Sequence, residues 1–111
     1  MIDGLWTVEF TSTLNRSGKG VFVFNNGRVL GGDQGYYYSG TYRTAGTQIE
    51  GRVNIVRFDP LSMSVFGNID HFSLSFTGDF NEYRLTAAAT IEGLPSQQIR
   101  VVAQKKEDML L

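Results

Sequence analysis

One histidine, a few serines near it and a scatter of carboxylates are the groups through which this chain of 111 residues could do acid–base or nucleophilic chemistry. His71 lies in the stretch that also carries Ser62, Ser64, Ser73 and Ser75. A nucleophilic triad needs its histidine beside an activated serine and oriented by a carboxylate, and no Gly-x-Ser-x-Gly elbow presents such a serine. Asp3, Glu9, Asp33, Glu50, Asp59, Asp70, Asp79, Glu82 and Glu92 are dispersed, so only the folded geometry could pair two of them as general acid and base. With a single histidine and no cysteine, a multi-histidine or thiolate metal site is excluded. The expectation is a chain with no catalytic residue, no metal site and no cofactor, in which His71 is a surface or rim side chain.

Three stretches remain that could bind rather than react. Gly18-Lys19-Gly20-Val21-Phe22-Val23-Phe24 resembles the aromatic strand on which small barrels stack single-stranded bases. That use requires outward aromatics and a basic groove. Phe22 and Phe24 instead share the face of Gly20 and read as core, and ten Lys and Arg against eleven Asp and Glu leave a formal net charge of −1. No nucleic-acid partner is expected from that balance. Gly31-Gly32-Asp33 reads as a turn, with glycines at positive φ and the Asp side chain accepting nearby backbone N–H groups. Tyr36, Tyr38 and Tyr42 project together, with Gly40 between them, and aromatic bodies with polar tips suit either a partly hydrated cavity or a filled core with hydroxyls at its rims.

The elements that position these groups follow from a period of two. Trp6, Val8 and Phe10 alternate with Thr7, Glu9 and Thr11. Phe22 and Phe24 follow on a second run, and Asn25-Asn26-Gly27-Arg28 supplies the positive φ angles of a type I′ hairpin turn into Arg28 to Leu30. The tyrosine run covers Tyr36 to Arg43. Further runs place together Ile49, Gly51, Val53 and Ile55; Phe72, Leu74 and Phe76; Tyr83, Leu85, Ala87, Ala89 and Ile91; and Ile99, Val101 and Ala103. Eight short strands, each apolar on one face, need a shared interior, and closing the sheet supplies it while removing exposed edges. The fold class is therefore all-β, an eight-stranded antiparallel barrel in one domain spanning 1–111. Its ordered core is about 3–104, residues 59–70 form a loop or one short helix begun by Asp59-Pro60, and the charged tail 105–111 frays. Glycines inside strands at 20, 40 and 51 mark bends or close backbone approaches. An eight-stranded interior is either filled or holds one small ligand. The small Ala87 and Ala89 favour an open one, lined by Tyr36, Tyr38, Tyr42, Phe22, Phe24, Leu74, Phe76, Leu85, Ala87 and Ala89, with tyrosine hydroxyls orienting an acyl chain or similar molecule.

No basic and apolar leader opens the chain, and no apolar run approaches the ~20 residues of a membrane span. A cytoplasmic location without a membrane span is the expectation.

Gly4-Leu5-Trp6 looks like the Gly-x-Trp signature of lipocalins. A broader match joins Asp3-Gly4-Leu5-Trp6, Gly18-Lys19-Gly20-Val21, Asn26-Gly27-Arg28-Val29-Leu30-Gly31-Gly32-Asp33 and Tyr36-Tyr37-Tyr38-Ser39-Gly40-Thr41-Tyr42. In these segments the chain resembles the GrlR-like family, whose namesake is a bacterial negative regulator of type III secretion genes. The match is strongest over residues 3–55 and continues to about residue 104. The resemblance implies a lipocalin-like barrel with an apolar cavity, a homodimer, and regulation by sequestering a transcriptional activator through an exposed acidic loop. The corresponding connection here, Arg43-Thr44-Ala45-Gly46-Thr47-Gln48, carries no acidic cluster, so those contacts are not carried over. Two functions follow as expectations: a non-enzymatic regulator acting through protein–protein contacts, or a carrier or sensor of a lipid-like small molecule.

Overall fold

The computed structural model describes residues 2–109 and is a closed barrel of eight antiparallel strands. They are β1 (Gly4–Ser12), β2 (Ser17–Asn25), β3 (Arg28–Gly32), β4 (Tyr36–Ala45), β5 (Gln48–Arg57), β6 (His71–Phe80), β7 (Arg84–Ile91) and β8 (Leu94–Asp108). Each strand pairs with the next, and β1 closes the ring against β8. Asn26 and Gly27 take φ of 51° and 83°, the conformation a type I′ turn demands at the β2–β3 hairpin. No helix among the described residues is long and apolar enough to cross a membrane.

The alternation sets the faces. Trp6, Val8, Phe22, Phe24, Leu74, Leu85, Ala87 and Ala89 are buried inside, and Phe76 is half-buried beside them. Trp6 is fully enclosed, and its indole Nε1 donates to the carbonyl of Ile2 at 2.9 Å. It stacks on Phe22 and meets Phe24 edge-on. The ring of apolar side chains around it, with Ile2, Val29, Ile49, Leu85 and Ala103, closes one end of the barrel.

Of the loop or short helix expected over residues 59–70, the structure has the loop, and several other expectations are corrected. Asp59 accepts from Leu61 N through its side chain and from Ser62 N through its carbonyl, which makes a single turn. Ser64 Oγ then accepts from Phe66 N and donates to the Gly67 carbonyl, and Gly67 sits at φ 112°. Serine side chains that capture local backbone groups offer the chain an alternative to the helix. Residues 105–108 are strand rather than frayed tail: Lys105, Glu107 and Asp108 pair with Trp6, Leu5 and Gly4 across a bulge. Residues 110 and 111 of that tail lie outside the described residues. Tyr83 is 70% exposed and not inward, because Asn81 Oδ1 accepts from the N–H groups of Tyr83 and Arg84 in a turn that starts β7 only at Arg84. Gly31 and Gly32 belong to β3 and have no positive φ. At Gly31 a Cβ would lie 2.2 Å from the Val21 carbonyl oxygen, so close strand approach excludes a side chain there.

Replacing Trp6 with Ala removes the largest enclosed side chain and is expected to cost about 3–5 kcal/mol. Urea unfolding followed by far-ultraviolet circular dichroism measures this; a loss below about 1 kcal/mol contradicts the closed-end packing.

Candidate functional site

A cavity of about 330 Å³ occupies the barrel above the Trp6 cluster. Val8, Phe22, Phe24, Leu85 and Ala87 line it from that cluster; Tyr36, Ile55, Phe66, Leu74, Ala89 and Ile99 belong to a second apolar cluster on its other side. Ser17, the turn from Asp33 to Gly35 and the loop residues from Ser62 to Phe66 also border it, which places its mouth at the end carrying the β1–β2, β3–β4 and β5–β6 connections. The volume stands at the low end of small-molecule pockets, about 300–1,000 Å³.

Of the residues expected to line a cavity, all but Tyr42 border this one. Tyr42 faces inward but lies in the closed end, its ring centroid 4.5 Å from that of Phe24. The period of two predicts the face of a residue and not its height along the barrel.

The tyrosine hydroxyls do not await a ligand. Tyr36 donates to the carbonyl of Ile69 at 2.5 Å, Tyr38 donates to Asp33 Oδ2, and Tyr42 donates to Asp3 Oδ1 at 2.8 Å. A phenol has one hydrogen to donate, so each is committed. The three tyrosines act as braces from β4 to the β5–β6 loop, to the β3–β4 turn and to the segment before β1. Burial first, then the hydrogen bond and charge of Asp33, push the Tyr38 phenol far above its ordinary range. Tyr42 is pushed up to about 12, chiefly by burial and then by its hydrogen bond to Asp3.

Asp33 is the turn residue expected from its glycine context, and more. Its Oδ1 accepts from Gly35 N and Tyr36 N, both at 2.9 Å, while Oδ2 takes the Tyr38 hydroxyl. Gly20 makes this possible: a Cβ there would lie 2.9 Å from the Tyr38 oxygen and 2.8 Å from the Gly32 carbonyl oxygen. Asp33 and Lys19 are the charged residues bordering the cavity. Lys19 extends along the outer wall, largely exposed, 3.6 Å from Glu9.

The β5–β6 loop lies across the mouth. Arg57 holds it, donating to the Ser62 carbonyl at 2.8 Å, to Asn68 Oδ1 at 2.6 Å and to Asp70 Oδ1 at 2.9 Å through Nε. Ser12 Oγ donates to the Val65 carbonyl at 2.8 Å, and Phe58 N to that of Gly35 at 2.9 Å. Phe66 is thereby turned inward, edge-on to Phe72. Phe58, Leu61 and Met63 stay exposed on the same loop. Sequence reasoning marked the 59–70 connection but missed its place over the mouth and the roles of Arg57 and Phe66, because their contacts join residues that no short-range pattern links.

His71 is exposed on the outer wall at the start of β6 and makes no side-chain hydrogen bond among the described residues. Neither a family model nor a curated protein matches the chain. The resemblance to the GrlR-like family therefore rests on the residues quoted above.

Between pH 10 and 12 an unfolded chain releases the Tyr42 proton while the fold retains it, so the unfolded state binds fewer protons and stability falls as pH rises. Below that window the contribution is fully present. Thermal melts across it should fall more steeply for the wild type than for Tyr42→Phe; equal slopes would remove Tyr42 from the account.

Proposed function

We propose that this barrel is a non-enzymatic binding protein that carries or senses an apolar, lipid-like small molecule in its cavity. The observation that carries the reading is an apolar cavity above an intact Trp6 cluster, with its mouth at one rim. A barrel meant only as a scaffold gains dispersion contacts by filling such a space. Here Ala87 and Ala89 border the cavity where larger side chains would occupy it.

A second reading is favoured by the outer wall. Leu5 pairs with Val23, Val23 with Leu30, and Tyr37 with Val56 on adjacent strands. Leu30 and Tyr37 are 47% and 48% exposed, and Val21 is similarly open. The opposite wall is polar, with Arg52 donating to Glu92 at 2.6 Å and Ser75 to the same carboxylate at 3.0 Å. One apolar and one polar half of an outer wall is the pattern of a protein-contact surface. That is the surface a regulator resembling the negative regulators of type III secretion would use, as a cytoplasmic homodimer or against a transcriptional activator. The readings coexist if an occupied cavity alters partner affinity.

Titration with an uncharged environment-sensitive apolar dye, N-phenyl-1-naphthylamine, should show saturable binding to the wild type. Ala89→Phe should abolish it while losing less stability than the about 1–3 kcal/mol of overpacking. A destabilised variant together with a wild type that binds no dye means a filled interior. For the second reading, sedimentation should report a dimer that Leu30→Asp dissociates; a monomeric wild type at every concentration excludes the homodimer.

A further inference from the structure

Asp33 is a half-buried carboxylate on the wall of a mainly apolar cavity whose other polar lining is Ser17, Lys19, Gln34, Ser62 and Ser64, and no ion pair joins it to a cation among the described residues. Three donors reach it: two backbone N–H groups on Oδ1 and the Tyr38 hydroxyl on Oδ2. An ionised carboxylate has about four acceptor positions, so Oδ2 can take a further donor. The neighbouring cations are engaged elsewhere. Lys19 lies beside Glu9 on the outer wall, with its side chain 81% exposed to solvent that screens it. Arg57 is held by Asp70, Asn68 and the Ser62 carbonyl.

A molecule seated in the cavity with its apolar body toward Phe22, Phe24 and Leu85 would bring its polar end to this rim. There it meets a negative charge with acceptor capacity left. The three tyrosine hydroxyls cannot donate to it, since their hydrogens are committed to Ile69, Asp33 and Asp3. A fatty-acid carboxylate would find a like charge and none of these donors. Resting on the reading of the cavity as a ligand site, we propose that its ligand is an apolar chain or ring system bearing a protonated amine, which donates to Asp33, and that carboxylate-headed lipids are disfavoured. The class is long-chain amines and related cationic amphiphiles.

Asp33→Asn isolates the charge. The Asn carbonyl oxygen still accepts from Gly35 N and Tyr36 N, and its amide donates to the Tyr38 oxygen, so the turn is kept. The experiment measures displacement of the bound dye by dodecylamine, dodecanol and dodecanoate, each below its micellar concentration. Ala89→Phe serves as the control for binding outside the cavity. The wild type is expected to bind dodecylamine at least about tenfold more tightly than dodecanoate, as a hydrogen bond to a charged group implies. Asp33→Asn should bring the two together while leaving dodecanol within about twofold. Dodecanoate binding as tightly as the amine, or an amine preference that survives Asp33→Asn, overturns the inference and leaves the ligand site standing. Failure of all three compounds to displace dye, with no dye binding by the wild type, overturns the ligand site and this inference with it.

Discussion

Closure of β1 against both β2 and β8 is the constraint on which the rest depends. Gly4 to Ser12 pairs on one side with β2 and on the other with β8 out to Asp108. This leaves no free sheet edge and converts eight half-apolar strands into one interior. The bulge between Leu5 and Trp6 on this seam accompanies the turn of Trp6 into the closed end, where Ile2 receives its indole N–H. Because the seam needs β8 as far as Asp108, the charged residues that end the chain's last strand are structural. Lys105 is almost wholly buried and lies 2.6 Å from Asp108.

With the ring closed, the interior divides by height. The Trp6 end is packed with aromatic rings, and polar braces from β4 tie segments at both ends, Tyr42 at the closed end and Tyr36 and Tyr38 at the mouth. Tyr36, Tyr38 and Tyr42 each reach an acceptor on a different segment, and Asp33 gathers two backbone N–H groups and a phenol in one turn. Hydrogen bonds in such semi-buried places must be completed, because an orphaned polar group there loses its water without return. No buried side-chain nitrogen or oxygen is left without a partner among the described residues. The polar atoms at the rim thus stabilise loops and leave the wall between them apolar.

The faces of the strands were legible because a period of two determines them, and a one-residue slip would have turned Phe22, Leu74 or Leu85 outward. The Asn26-Gly27 turn was legible for the same local reason, since positive φ has few residue solutions. What stayed hidden depends on contacts between distant residues. Tyr42 reads as cavity wall from its face, yet its height places it against Phe24 and its hydroxyl on Asp3. Residues 59–70 carry a helix-start pair in Asp59-Pro60, but Asp59, Ser62 and Ser64 turn their side chains onto their own loop instead. The strand at 105–108 looked like a solvated charge run because its partner, β1, lies at the other end of the sequence.

The two ends of the barrel are consequently held by different chemistry, and this assigns them different freedom. The closed end rests on apolar burial around Trp6, which is shared among many side chains. The mouth is held by hydrogen bonds from Arg57, Ser12 and Tyr36 to the β5–β6 loop and by its Phe66, Val65 and Ile69 on the second apolar cluster, while its Phe58, Leu61 and Met63 are exposed. A loop that buries less apolar surface than the strands opens at lower free energy than the core. Loop opening at this rim would expose the inward Phe66 and the upper cavity wall while the Trp6 cluster stays intact. An apolar molecule can then enter or leave on the reading proposed here without loss of the barrel's closure, because the seam between β1 and β8 lies in strand pairing that the loop does not carry.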